Sequence, residues 1–336
     1  MQDAGSAGRK TKVLYIAGAG RSGSTVLGQV LGGVEGFFTV GELFYLWDRG
    51  LVENRLCGCG EFFKECPFWR EVLERSFGGV DRIDAEGMLH LREQSVSNRQ
   101  LLFMSARERQ RALARAAHYL ESLETLYHGV RHASQSKVIV DTSKSPAYCF
   151  GLDSIPSIDV YVVHLVRDPR ATAYSWWVRK KRQPASENRP SRYMTRHKPI
   201  KTSLIWDAYN LLVEKTWANE IDRYMFLRYE DFVEDPQGVL GDILRFVDEE
   251  DSETPFTSER EVSLSVNHVF SGNPSRLHDG SVTIEPDEEW KRKMGFLQRS
   301  TTALATWPGL LRYDYGLRIG HPSAAEKVGS RSRTAS

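Results

Sequence analysis

Residues 13–25, which read VLYIAGAGRSGST, constrain the fold of this chain more than any other stretch. An apolar, β-favouring run is followed by a glycine-rich turn, and the turn leads into a segment that predicts a helix over residues 25–32. In this order, a strand, a tight loop and a helix N-terminus direct several backbone N–H groups and the positive end of the helix dipole at one point. The stretch therefore predicts an anion-binding site in an α/β fold.

The loop also supplies room for a ligand and side chains that bind anions. The glycines, which allow sharp turns and close approach to a ligand, are Gly18, Gly20 and Gly23. The side-chain donors are Arg21, Ser22, Ser24 and Thr25. A guanidinium and several hydroxyls beside free backbone N–H groups suit the oxygens of a phosphate or a sulfate.

Three kinds of nucleotide site can use such a loop. A P-loop kinase or GTPase requires a lysine at the position that Ser24 holds here. A Rossmann dinucleotide site requires G-x-G-x-x-G, which the three glycines satisfy, and Glu42 lies near the offset of the acid that binds the ribose. The third kind binds a 5′-phosphosulfate. The loop by itself leaves all three open.

Composition and charge narrow the class of protein. The chain has 336 residues, 40% of them hydrophobic, and its 45 Lys and Arg nearly balance its 44 Asp and Glu, so no overall charge favours nucleic acid or an anionic membrane. It contains neither an apolar run of about 18 residues nor a signal-peptide pattern after Met1. We therefore expect a soluble cytoplasmic protein with no membrane span and no nucleic-acid partner. Its oligomeric state is left open.

Strand-like and helix-like segments alternate along the chain, which predicts a mostly parallel central sheet flanked by helices in a single α/β domain. We place this domain at residues 12–318, with a substrate-specific insert at about 50–130, and expect disordered tails at 1–11 and 319–336. The insert is irregular over 50–70 and helical over 85–128. The other predicted elements are strands at 138–140, from 160 and at 224–232, and helices at about 203–220 and 235–249.

A second anion site is predicted where the strand that starts at residue 160 ends. The apolar strand leads directly to Arg167, Asp168 and Pro169, and Ser175 follows on the next helix. An arginine fork at a strand end and a hydroxyl one to two helical turns further on can bind one phosphate together.

With these two motifs, the chain resembles the sulfotransferases that use 3′-phosphoadenosine 5′-phosphosulfate (PAPS), whose fold is similar to that of P-loop NTPases. The resemblance implies that residues 21–25, RSGST, bind the 5′-phosphosulfate and that Arg167 and Ser175 bind the 3′-phosphate. The segment LRYEDF is similar to one whose tyrosine, here Tyr229, lies near the adenine. The later SGNPSRLHDG is similar to a loop that closes over the 3′-phosphate, with Arg276 as its donor.

The residues that carry out the transfer are assigned by the same resemblance. Many family members use a histidine at the strand end before the second motif, but this chain has none at residues 141–146. It is more similar to the tyrosylprotein, carbohydrate and bacterial branches. In these, a Gly-Glu segment supplies a general base, here Glu42, and a lysine, here Lys144, lies beside the leaving phosphate or the sulfuryl oxygens. Asp141 is the rival base.

The resemblance implies a sulfuryl donor, PAPS, a product, PAP, and an acceptor hydroxyl or amine on a small molecule, carbohydrate or lipid. The transfer mechanism that the resemblance implies requires no metal. A small-molecule kinase and a non-catalytic nucleotide-binding module are the alternatives.

The cysteines of the insert have no assigned role. Cys57, Cys59 and Cys66 have the spacing of zinc ligands, but no fourth ligand lies nearby in the sequence, and Cys149 is far along the chain. A structural turn with free thiols or a single disulfide is favoured over a metal.

Overall fold

A computed structural model describes residues 10–95, 97–177, 182–183, 186–187, 192–193 and 196–316. Its strands are β1 (Thr11–Ala17), β2 (Phe37–Gly41), β3 (Val138–Lys144), β4 (Ile158–Val166), β5 (Arg182–Gln183), β6 (Arg192–Tyr193), β7 (Tyr224–Arg228), β8 (Glu261–Leu264) and β9 (Gly280–Thr283). Five of them form one sheet in the order β2-β3-β1-β4-β7, and all neighbours in it are parallel. The single α/β architecture predicted from the sequence is confirmed.

Helices connect these strands. The α-helices are α1 (Ser24–Gly32), α2 (Pro67–Phe77), α3 (Ala85–Gln94), α4 (Asn98–Phe103), α5 (Ala106–Arg115), α6 (Ala117–Ser134), α7 (Pro146–Asp153), α8 (Pro169–Trp177), α9 (Pro199–Trp217), α10 (Tyr229–Glu234), α11 (Pro236–Phe246), α12 (Glu289–Lys293), α13 (Phe296–Ala305) and α14 (Trp307–Arg312). A π-helix spans Leu46–Val52, and short 3₁₀ turns span Leu43–Tyr45, Val80–Arg82 and Pro274–Leu277. None of the helices in the described parts of the chain is long and apolar enough to cross a membrane.

The sheet has a buried core on each face because alternate residues of a strand point to opposite sides. On β1, Val13 and Tyr15 belong to the same buried core as residues of α2, α6 and α7, whereas Leu14 and Ile16 belong to the core that contains residues of α1 and α11. All four side chains are fully buried. The near-continuous apolar sequence of β1 is what a strand covered on both faces requires.

Three local predictions are corrected. The segment 224–232 is not one strand, because β7 ends at Arg228 and α10 begins at Tyr229, with two acidic residues in the first helical turn. The insert is more helical than predicted near residue 67, where a proline in the first turn starts α2. The helix predicted from about 203 starts at Pro199 for the same reason.

The predicted tails lie outside the described residues except Lys10 and Thr11, and Thr11 belongs to β1.

The carboxyl ends of all five strands meet at one edge of the sheet, as parallel pairing requires. Each end is followed by a candidate site residue: the glycine-rich loop follows β1, Glu42 follows β2, Lys144 ends β3, Arg167 follows β4, and Tyr229 follows β7. In open parallel α/β sheets, ligands bind outside this edge. The topology thus gathers residues that are far apart in the sequence.

Candidate active site

A cavity of about 560 Å³ opens at this edge of the sheet. The predicted residues that line it are Arg21, Gly23, Ser24, Thr25, Glu42, Lys144, Arg167, Ser175 and Tyr229. Four cationic side chains and two carboxylates are among the lining residues of the described chain: Arg21, Arg49, Lys144 and Arg167, with Glu42 and Asp287. The cavity therefore favours anionic ligands.

The glycine-rich loop has a backbone conformation that depends on its glycines. Gly23, the N-cap of α1, has a φ of 97°, and a Cβ atom there would lie 2.3 Å from Cδ2 of Tyr229. A Cβ at Gly18, whose φ is 135°, would lie 2.4 Å from the carbonyl oxygen of Leu165. Any other residue at either position would suffer backbone strain and a clash. Gly23, Ser24 and Thr25 line the cavity, so the N-terminus of α1 borders it.

Arg21 is held over an aromatic ring at the mouth of this loop. It has a φ of 73°, in the left-handed region that non-glycine residues seldom adopt. Its guanidinium carbon lies 4.7 Å from the ring centroid of Trp176, whose Nε1 donates to the carbonyl oxygen of Gly20. Strained non-glycine residues cluster at functional sites, so the conformation of Arg21 agrees with a binding role.

Glu42 and Lys144 form an ion pair inside the cavity. Lys144 Nζ lies 2.6 Å from Glu42 Oε1, and Arg49 Nη1 lies 2.9 Å from Glu42 Oε2. Ser271 Oγ donates to Glu42 Oε2 at 3.1 Å. Burial by itself would raise the pKa of Glu42, but the two cations and these hydrogen bonds outweigh it and lower the pKa to about 2. Glu42 is therefore ionised at neutral pH.

Lys144 is a second strained residue in the site. Its φ is 69°, and its ammonium also donates to the carbonyl oxygen of Thr142 at 2.8 Å. This conformation breaks the regular ladder between β1 and β3, where the register shifts after Tyr15. In this conformation the ammonium of Lys144 reaches the carboxylate of Glu42.

Arg167 lies between an aromatic ring and a carboxylate. Its guanidinium carbon is 4.4 Å from the ring centroid of Tyr229, and its Nη2 is 3.1 Å from Asp287 Oδ2. Nη1 donates to the carbonyl oxygen of Arg21 at 3.4 Å, which connects the two predicted anion motifs. Thr172 and Ser175, on α8, line the same cavity and are buried.

Asp141 lies in the sheet rather than in the cavity. Its Oδ1 accepts from the backbone N–H of Ser143 at 2.6 Å, and its Oδ2 accepts from the hydroxyl of Tyr127. Burial raises the pKa of Asp141 to about 6, although these hydrogen bonds act in the opposite direction. It is not among the residues that line the cavity. This placement favours Glu42 over Asp141 as the base.

Two predicted binding residues do not reach the cavity. Arg276 is buried, and its Nη2 donates to the carbonyl oxygens of Leu56 and Phe270 at 2.8 and 3.2 Å. This is a correction: Arg276 fastens the loop that contains it to the insert, so we drop it from the phosphate site. Ser22, within the glycine-rich loop, is buried and is likewise absent from the cavity lining.

Three residues that contact the predicted site residues were not predicted from the sequence, and two of them, Arg49 and Asp287, line the cavity. Arg49 and Ser271 both contact Glu42, and Asp287 contacts Arg167. Arg49 follows Glu42 by seven residues, whereas Ser271 is 229 residues away from it. Their only sequence signal is proximity to other motif residues, Arg49 near Glu42 and Ser271 near Arg276, and that signal does not specify a contact.

The parallel sheet, the glycine-rich loop and the cation-lined cavity define an α/β protein with a cavity suited to anionic ligands at the carboxyl edge of its sheet. A family model described as "Sulfotransferase family" matches residues 14–253. The chain therefore belongs to the sulfotransferase family. No curated protein matches it.

The chain was also compared with solved structures. The chain is 18% identical to a sulfotransferase domain from the curacin biosynthetic pathway, with a TM-score of 0.50, covering 92% of this chain and 100% of that one. It is 19% identical to a sulfotransferase domain from the Synechococcus PCC 7002 olefin synthase, with a TM-score of 0.48 and coverages of 92% and 97%. Sulfotransferase STF1 from Mycobacterium tuberculosis H37Rv is 14% identical, with a TM-score of 0.36 and coverages of 71% and 68%.

Proposed function

We propose that this sulfotransferase uses PAPS as its donor and transfers the sulfuryl group to a hydroxyl or amine of a small-molecule, carbohydrate or lipid acceptor, releasing PAP. One observation carries the proposal. Two sets of anion donors, the loop around Arg21 and the group formed by Arg167, Thr172 and Ser175, line the same cavity as the Glu42–Lys144 pair. A donor with two separate phosphate groups needs two such sets.

Buried polar atoms in the second set fit a phosphate. Within the described part of the chain, Nε of Arg167 and Oγ1 of Thr172 are buried atoms for which the structure gives no hydrogen-bond partner. Both residues line the cavity. Buried donors that lack a partner are costly, and phosphate oxygens would satisfy them. These residues together with Ser175 would hold the 3′-phosphate.

The first set would hold the 5′-phosphosulfate. Arg21, Ser24, Thr25 and the first N–H groups of α1 are its donors. Tyr229 would contact the nucleotide beside Arg167. The bound donor supplies an electrophilic sulfur and a phosphate leaving group.

Glu42 would accept the proton of the acceptor, and Lys144 would neutralise negative charge on the leaving-group side. A carboxylate with a pKa near 2 is a weak base, and the cause of that low pKa is mainly Lys144, with Arg49 second. If Lys144 turns its ammonium from Glu42 toward a phosphate, Glu42 loses its strongest stabilising charge and its pKa rises. The ion pair would thus make Glu42 a better base only when the donor site is filled.

The acceptor would enter along an apolar wall. A second cavity of about 290 Å³ shares Phe44, Asn98 and Ser145 with the first. The rest of its lining is mainly apolar and comes from the helical insert and α7, with Leu120 and Tyr148 as examples. This lining supports an acceptor with an apolar or aromatic portion attached to the reacting hydroxyl or amine.

Ligand binding tests the donor directly. PAP, ATP with Mg²⁺, GTP and NAD should be compared by calorimetry and thermal shift on the full chain. We expect PAP to bind selectively, and Arg167→Ala to weaken it about 10- to 100-fold, the value of one or two charge-assisted hydrogen bonds. Arg245→Ala is the matched control, because Arg245 is exposed on α11 and pairs only with Asp242 among the described contacts. Selective binding of ATP with Mg²⁺ would refute the proposal in favour of a kinase.

Catalysis needs a second assay. Transfer of labelled sulfate from PAPS should be measured with a panel of alcohols, phenols, amines and sugars, each with and without an apolar tail. Formation of a labelled product that depends on the acceptor would support the transferase. Tight PAP binding without transfer to any acceptor, or hydrolysis at the same rate in all variants, would contradict the catalytic assignment.

A further inference from the structure

Four potential metal ligands converge outside the cavity. Cys57, Cys59 and Cys66 come from the insert, and His268 comes from the loop after β8. Their ligand atoms all lie within 4.8 Å of one another. The fourth ligand, which sequence spacing could not supply, is 202 residues from Cys66.

The distances among these atoms fit a tetrahedral metal rather than a disulfide. Cys66 Sγ lies 3.7 Å from Cys57 Sγ and 3.6 Å from Cys59 Sγ. A disulfide would place two sulfurs about 2.05 Å apart. A zinc ion with bonds of about 2.3 Å to sulfur separates two thiolates by about 3.8 Å in a tetrahedron. Cys66 Sγ and His268 Nδ1 are 3.2 Å apart, a few tenths of an ångström below the corresponding tetrahedral distance of about 3.6 Å.

Neighbouring residues hold the cysteines of the insert and the loop that contains His268 in place. The ring of Phe68 stacks on His268 with centroids 4.9 Å apart, and Trp69 Nε1 donates to the carbonyl oxygen of His268 at 2.7 Å. The backbone N–H of Gly58 donates to the carbonyl oxygen of Val269 at 3.1 Å. Cys57 and Cys66 are fully buried. Four protein ligands with no open position are typical of structural rather than catalytic zinc.

We propose that Cys57, Cys59, Cys66 and His268 bind one zinc ion that fastens the insert to the loop bordering the active-site cavity. Ser271, three residues after His268, donates to Glu42 and accepts from Arg49. Gly272, Asn273 and Ser275 line the cavity directly. The ion therefore fixes the position of the loop that faces Glu42, while taking no part in the transfer.

Metal analysis of the full chain, purified without a histidine tag, tests the site. We expect about one zinc per chain by elemental analysis. Cys59→Ser and His268→Ala should lower the zinc content several-fold, and His268→Cys should restore it, because Cys₄ is also a zinc ligand set. Cys149→Ala is the control, since Cys149 is a buried thiol outside the cluster, and it should keep the full content. A metal-free chain with free thiols, or a mass two hydrogens lower from a disulfide, would overturn the proposal.

A second measurement uses the wild-type chain and does not depend on variants that fold. Protein produced with cobalt in place of zinc should show the intense visible bands of tetrahedral cobalt and a sulfur-to-cobalt charge-transfer band. Chelation should lower the melting temperature of the wild type, because a metal that binds only the folded state stabilises it. The weak spectrum of six-coordinate cobalt, or an unchanged melting temperature after complete removal of the metal, would contradict the site. None of these readouts requires the donor or the acceptor.

Discussion

Lys144 Nζ lies 2.6 Å from Glu42 Oε1, so the two residues proposed to carry out the transfer neutralise each other in the free protein. They come from neighbouring strand ends and are 102 residues apart in the chain. Both side chains are largely buried, with exposed fractions of 13% and 12%. A buried pair of this kind is costly to break by removing one partner, because the remaining charge loses its compensation. Removing either Glu42 or Lys144 should therefore affect the free energy of unfolding as well as the proposed transfer.

Glu42→Gln should greatly reduce turnover while binding of PAP survives. The amide keeps the size of the side chain but cannot accept the acceptor's proton, so kcat should fall by roughly 10²–10⁴-fold. Because Lys144 and Arg49 then lose their counter-charge, the affinity for anionic PAP should stay the same or increase. Steady-state kinetics and calorimetry on the same preparation measure both quantities.

Glu71→Gln is the control, because Glu71 is exposed on α2, pairs with Arg75 and does not line the cavity in the described part of the chain. It should leave kcat unchanged. Activity of Glu42→Gln near that of the wild type would remove Glu42 from the role of base.

The buried carboxyl of Asp141 should make the stability of the protein depend on pH. Its folded pKa of about 6 lies above its ordinary 3.8, so the folded state binds more protons than the unfolded state between these values. The free energy of unfolding should therefore fall as the pH rises from about 4 to about 6. Urea unfolding of the wild type and of Asp141→Asn over this range measures the effect, and the decline attributable to Asp141 should be missing in the variant.

The same variant separates the two candidate bases. If Asp141 only supports the sheet through Tyr127 and Ser143, Asp141→Asn should reduce kcat far less than Glu42→Gln does. A loss of turnover in folded Asp141→Asn as large as that in Glu42→Gln would assign the base to Asp141.

Much of the fold was predictable because its signals are local. The strand–loop–helix around Gly23 and the strand that leads to Arg167 are each encoded within about a dozen residues, and both lie where the sequence predicted them. Arg276 was misplaced because its backbone partners, Leu56 and Phe270, are defined by packing of the insert rather than by any motif. Ser271 and His268 were missed for the same reason. Contacts between distant segments leave no periodicity to detect.

Gly23→Ala should impair binding of PAP through its contact with Tyr229. An alanine Cβ would lie 2.3 Å from Cδ2 of that ring, and the φ of 97° adds strain. We expect a loss of about 1–3 kcal/mol in stability, from strain and overpacking together, and at least a tenfold weaker affinity for PAP. Chemical unfolding and calorimetry give the two values.

The double variant Gly23→Ala/Tyr229→Ala tests whether the ring is the cause. Relative to Tyr229→Ala alone, the alanine at position 23 should cost less stability than it does in the wild type, because only the backbone strain remains. Equal costs in both backgrounds would mean that the clash with Tyr229 contributes nothing.

Leu120→Phe should distinguish acceptors by the length of their apolar portion. Leu120 lies on α6 and lines the second cavity, away from Glu42 and from the anion donors. A larger side chain there reduces the room for an apolar tail. KM for long-tailed acceptors should therefore rise by roughly 10-fold or more, which is the loss of binding expected when one or two methylene groups no longer fit the pocket. KM for PAPS and for short acceptors should not change, which provides an internal control in the same preparation. A uniform effect on all acceptors would indicate a general disturbance of the insert, and no effect on any would exclude the second cavity as part of the acceptor site.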